Sequence, residues 1–139
     1  MAAGSQRYGR AVPAVADGRA VKLRLDRVDT ASRVARAHLR TELAELDPET
    51  LETVLLVTTE LVTNAVLHAT GDVDLTATVG PRQVSVAVFD CEPLPPLVRD
   101  HDLQRPNGRG MALVSMFSRE WGTRYHDGGK TVWSLIDRP

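Results

Sequence analysis

The chain is 139 residues long, enough for one domain to close a single two-layer core without disulfide or metal staples. Hydrophobic residues make up 42% and charged residues 25%, and with aromatics at only 4% the core must be aliphatic, built from Val, Leu and Ala. Seventeen basic against eighteen acidic residues leave a formal charge of -1, so no global field favours DNA or an anionic membrane, and a lone Cys91 excludes an internal disulfide.

The four histidines, His38, His68, His101 and His126, stand far apart with no partner at metal-ligand spacing, so no structural zinc is expected. No apolar run approaches the ~20 residues that span a bilayer, and the short apolar patch near the N-terminus is broken by Pro13 and Asp17, unlike a signal-peptide core. A cytoplasmic protein is therefore expected, with residues 1–19 as a disordered tail ahead of a single domain over 20–139.

In AVKLRLD (20–26), Val21, Leu23 and Leu25 alternate with polar residues, which predicts a half-buried strand. Asp29 or Thr30 then offers an N-cap for a helix through about Leu46, with Val34, Leu39, Leu43 and Leu46 at helical intervals. Asp47-Pro48-Glu49 restarts the helical pattern with a capping acid, a proline at the first helical position and an acid at the positive end of the dipole. The helix it opens runs to about Ala69, before Gly71.

DVDLTATV (72–79) and QVSVAVFD (83–90) alternate around Gly80-Pro81, a predicted hairpin. Residues 91–107 carry prolines and charges without a period, an unusually long loop for so small a domain. A short helix begins near Gly110, and WGTRYH and KTVWSLID flank a hairpin turn at Asp127-Gly128-Gly129. Grouped helices and grouped hairpins predict an α+β two-layer sandwich, with helices on one face of a mixed, mostly antiparallel sheet.

Several positions carry chemistry. Glu60 and Asn64 in ELVTNAVLHAT lie four apart on one helical face, beside Leu61, Val62, Ala65 and Val66. An amide oxygen such as that of Asn64 suits Mg²⁺, and Glu60 one turn back suits a general base; a solvated face is the plain alternative for such a pair. Asp90, closing its strand, can accept a hydrogen bond from an exocyclic amine such as that of adenine, or bind its own backbone as strand-ending aspartates do.

Gly108 and Gly110 permit close backbone approach at a helix start that can seat phosphates, with Arg109 as an added cation; two glycines equally often mark a mere turn into a helix. On their own, Lys130 and Thr131 are hairpin residues. Trp121 and Trp133 are simplest as packing residues, His68 as a helix-end residue, and Cys91 as a small packed side chain.

Taken in order, E-x-x-x-N on a helix, a strand ending in Asp, an irregular loop, G-x-G at a helix start and GKT before a strand resemble the GHKL ATPase superfamily and its Bergerat nucleotide fold. The similarity covers residue 20 to the C-terminus and is closest to bacterial anti-sigma-factor serine kinases and their ATP-binding relatives. ELVTNAV is similar to the N box, FDCEPLPP stands where the first glycine box falls, GRGMALV resembles the second and GGKTVW the closing strand.

The resemblance implies ATP and Mg²⁺ as ligands, Glu60 as general base toward a protein serine, and Asn64 as the Mg²⁺ ligand. It further implies Asp90 at the adenine amine, Gly108, Arg109, Gly110 and Met111 around the phosphates, Thr131 near the adenine, and residues 91–107 as an ATP lid. The implied partners are a sigma factor and a serine-bearing antagonist protein, with no direct nucleic acid and no membrane, and the protein's own state includes a homodimer among its options.

One departure is plain: Asp90 is followed by Cys91, Glu92 and Pro93, with no glycine. That bulk and charge favour an alternative reading, a nucleotide-binding or protein-interaction module of the same fold without phosphoryl transfer. The ATPase portion of a sensor kinase is the least favoured reading, because no helix bearing a phospho-accepting histidine precedes residue 20.

Overall fold

The structure, a computed structural model, describes residues 5–8, 11–68, 70–91 and 108–139, and of 5–8 and 108–110 the backbone alone. In chain order the elements are β1 (Ser5–Tyr8), β2 (Arg19–Leu25), α1 (Ala31–Glu42), α2 (Pro48–His68), β3 (Val73–Val79), β4 (Gln83–Cys91), α3 (Gly108–Phe117), β5 (Glu120–His126) and β6 (Gly129–Asp137). The six strands form one sheet in the order β1-β5-β6-β4-β3-β2, antiparallel throughout except that β1 runs parallel to β5. The α+β two-layer architecture expected from the sequence is the one observed.

Strand alternation sorts the residues into two faces. Val73, Leu75, Ala77 and Val79 of β3, and Val84, Val86 and Val88 of β4, are buried with the helical residues Ala35, Leu39, Val54, Val57, Leu61 and Ala65 in one core. The helices α1 and α2 run antiparallel, joined by Arg36 Nη1 donating to Thr59 Oγ1 at 3.0 Å and Arg40 Nη1 to Glu52 Oε2 at 3.0 Å. Helix α2 lies between α1 and α3 and rests on β3, β4 and β6. By length and composition α2 could cross a membrane, contrary to the sequence expectation, but here its apolar stripe is spent on the sheet.

The restart signal acts as anticipated. Asp47 Oδ2 accepts from the Thr50 backbone N–H at 3.0 Å, and the Asp47 carbonyl accepts the first helical bond, from Leu51 N at 2.9 Å. The β5–β6 connection is a two-residue turn with positive φ at both Asp127 (50°) and Gly128 (75°), the geometry that suits the right-handed twist of a hairpin.

Two local expectations are corrected. Helix α1 ends at Glu42, not near Leu46; Leu43 caps it, and Leu43 and Leu46 stay buried in the following turn, where the residue before Pro48 disfavours helical backbone. Val34 is 49% exposed, because the buried line along α1 is Ala31, Ala35 and Leu39, and a residue one place before Ala35 lies about 100° around the helix.

Parts of the segment ahead of β2 are described. Ser5–Tyr8 pairs with Glu120–Thr123, and farther on Val15 packs by Gly80 and Gly18. A Cβ on Gly80 would meet Val15 Cγ1 and the Ala16 carbonyl oxygen at 2.6 Å, so glycine is what admits this segment against the β3–β4 turn.

Acid sensitivity follows from the carboxylates. Hydrogen bonds from Thr50, side chain and then backbone, hold the Asp47 carboxyl below its usual range, and the Arg119 guanidinium does the same for Asp137. A carboxyl with a depressed folded pKa stabilises the fold fully above its unfolded value near ~4 and loses that contribution as pH falls through the folded value. Asp47→Ala is therefore expected to lower the thermal midpoint at pH 7 and to lower it much less at pH 2 to 3. An equal deficit at both pH values would remove the cap from this role.

Candidate nucleotide site

The site is built from the C-terminal part of α2, the ends of β4 and β6, and the start of α3. Thr70 ties the first two together, its backbone N–H and its hydroxyl both donating to the Cys91 carbonyl, at 3.0 and 3.2 Å. The last turns of α2 are thereby anchored to the end of the strand that carries Asp90.

Asn64 is 2% exposed, and among the described residues neither its Oδ1 nor its Nδ2 has a hydrogen-bond partner. An unpaired buried amide costs on the order of 1–3 kcal/mol per group, so leaving both ends unmet is expensive unless a ligand meets them. Among the described residues Thr58 of α2 and Thr123 of β5 also bury hydroxyls without a partner, whereas Asn64 presents an acceptor and two donors from one planar group. Glu60, one turn earlier, is half-buried and shows no hydrogen bond or ion pair among the described residues.

Asp90 shares its face of β4 with Val84, Val86 and Val88, toward the helices, and is fully buried. Directly opposite in register sits Lys130, also 0% exposed, whose Nζ donates to Oδ1 and Oδ2 of Asp90 at 3.2 and 3.0 Å. Gly129 makes the close approach of the strands feasible there: a Cβ would collide with the Asp90 carbonyl oxygen and with the Phe89 ring.

Thr131 lies elsewhere. As the next residue on β6 it faces away from the helices, opposite Phe89, and its hydroxyl shares a 2.7 Å hydrogen bond with His126 Nε2. His126 Nδ1 lies 3.0 Å from Asp127 Oδ2, and its ring stacks obliquely on Phe89, centroids 5.2 Å apart. The structure thus brings Asn64 and Asp90 into the layer between helices and sheet, and does not bring Thr131 to them.

Gly108, Arg109 and Gly110 form the first turn of α3, so the helix starts two residues before Gly110, where the sequence suggested. Their backbone N–H groups belong to the set a helix leaves without internal partners. Met111 in the same turn is 7% exposed and part of the core. The anticipated lid over 91–107 lies, apart from Cys91, outside the described residues, as do Glu92 and Pro93.

Lys130 is the residue that the sequence passed over as a hairpin lysine. The signal was its place in the alternation Lys130, Val132, Ser134, Ile136, but the intervening Trp133 and Leu135 are also buried, so the pattern alone names no inward side. Among the described residues, no group of three or more His, Cys, Asp or Glu gathers as a metal cluster. A hard cation here would take few protein donors, and the unmet carbonyl oxygen of Asn64 fits that demand.

A two-layer sandwich with helices on one face, a buried unmet carboxamide on the central helix and a buried carboxylate at the end of a central strand defines a nucleotide-binding type of domain. The family model of the histidine kinase-like ATPase domain matches residues 21–135, and the chain belongs to that family of ATP-binding domains. None of the curated proteins compared with the chain matches it.

The buried pair makes a stability prediction. Asp90→Ala leaves the Lys130 ammonium uncompensated at full burial and is expected to cost about 3–5 kcal/mol in urea unfolding. A loss under about 1 kcal/mol would show that the pair is not held as described.

Proposed function

We propose that the protein is a serine/threonine protein kinase of the anti-sigma-factor type, binding Mg²⁺-ATP between the helix layer and the sheet and phosphorylating a partner protein. The observation that carries this reading is the Asn64 carboxamide, buried with both ends unmet among the described residues, one helical turn from a half-buried Glu60.

In this reading Asn64 holds the divalent ion, Asp90 accepts a hydrogen bond from the adenine amine, and the first-turn N–H groups of Gly108–Met111 face the phosphates with Arg109 beside them. The ion, when bound, neutralises phosphate charge in transfer. Glu60 takes the proton of the partner's serine hydroxyl as the serine oxygen bonds to the γ-phosphorus and the bond to the bridging oxygen of ADP breaks. Most of the acceleration is positioning and charge neutralisation, so a carboxylate, a carboxamide and a helix start suffice.

The partners in this proposal are a serine-bearing antagonist protein and a sigma factor, in the cytoplasm. The second reading, a nucleotide-binding module without transfer, is favoured by one observation: Asp90 already has a resident cation, Lys130, within hydrogen-bond distance.

Two variants separate these. Glu60→Ala is expected to keep Mg²⁺-ATP binding within about twofold by calorimetry and to lower phosphate transfer to a serine-bearing partner by about 10²-fold or more. Unchanged transfer would take Glu60 out of the mechanism, and no transfer by the parent protein would favour the module.

Asn64→Leu is expected to leave the nucleotide-free thermal midpoint no lower, since it removes two unmet polar atoms. It should abolish the Mg²⁺-dependent part of the stabilisation by ATP, which in a protein that binds reaches about 2.7 kcal/mol at a hundredfold excess over Kd. Retention of that Mg²⁺-dependent gain would overturn the assignment.

A further inference from the structure

We propose that Lys130 reads the nucleotide base alongside Asp90, donating to the ring N1 of adenine while Asp90 accepts from the exocyclic amine. The proposal rests on the ATP-binding reading above and deepens it by giving the base a second contact, on the strand where the family resemblance had put Thr131 near the adenine.

Three observations carry it. First, β6 presents only one polar side chain to the helix side at the level of Asp90, and it is Lys130; Thr131 is on the opposite face with its hydroxyl bound to His126. Second, the Lys130 side chain is fully buried although its four-carbon stem could carry the ammonium to water, so its position is set by what it meets inside. Third, an ammonium has three N–H donors, and both of its hydrogen bonds go to one carboxylate, leaving at least one donor without an acceptor among the described residues.

The chemistry of the pair then matches one edge of one base. Adenine places a donor, the exocyclic N–H, next to an acceptor, the ring N1, and a carboxylate held beside an ammonium places an acceptor next to a donor.

The test uses the full chain and calorimetric titration with three Mg²⁺ complexes: ATP, its 1-deaza analogue lacking the N1 acceptor, and the purine riboside triphosphate lacking the amine. The parent protein is expected to bind both analogues about tenfold or more weaker than ATP, the range of a hydrogen bond to a charged group. In Lys130→Met the penalty for the 1-deaza analogue should vanish, with ATP falling to that analogue's affinity.

Equal affinity of the parent for ATP and the 1-deaza analogue overturns the role of Lys130 and leaves ATP binding standing, as does a penalty that persists in Lys130→Met. Failure of the parent to bind any of the three sinks the ATP-binding reading itself. Should Lys130→Met fail to fold, the comparison made on the parent protein still decides.

Discussion

Two opposite charges buried at the end of the central strands set the terms for the rest of the structure. Desolvating Asp90 and Lys130 costs several kcal/mol per ion, and their attraction offsets that only while the two side chains face each other with good hydrogen bonds. Both conditions depend on one register between β4 and β6, in which Asp90 stands opposite Lys130 and Gly129 lets the strands close at Cys91. A slip of one residue would send one charge to each face of the sheet, so the pair resists misalignment more strongly than the valines around it.

Above that pair, α2 is fastened at both ends, by Asp47 at its start and by Thr70 to the Cys91 carbonyl just past its finish. Between these anchors its inward stripe of Val54, Val57, Leu61 and Ala65 supplies the packing that lets Asn64 stay inside unmet. Stability and ligand chemistry are thus divided along a single helix. The apolar residues stabilise the layer, and the amide is held in place at a cost that, in the proposed function, the bound ligand offsets.

The parts that sequence reasoning reached are those with strong local causes. Asp47-Pro48-Glu49 and Asp127-Gly128 act through backbone geometry, and β3 alternates cleanly because one of its faces is more exposed than the other. What it missed depends on neighbours distant in sequence. Ser5–Tyr8 has no alternation of its own and becomes a strand because β5 offers an edge. Alanines 31 and 35, too small to register as a hydrophobic line, carry the contact credited to Val34.

Of the site, the order of Glu60, Asn64 and Asp90 was readable because each sits at a recognisable place on its element. That Lys130 rather than Thr131 shares the face of Asp90 was not, because β6 is buried on both faces and its pattern therefore has no preferred side.

The sheet order also dictates a timetable. Strands β2, β3 and β4 with α1 and α2 are contiguous in sequence and can assemble while the remainder is still being synthesised. Strand β1 precedes its neighbour in the sheet by more than a hundred residues and must wait for Glu120–Thr123, and β6, which belongs between β4 and β5, is made after both. Until then β4 carries an open edge at the middle of the future sheet, so the nascent chain is most vulnerable to wrong pairing before the nine-residue β6 emerges.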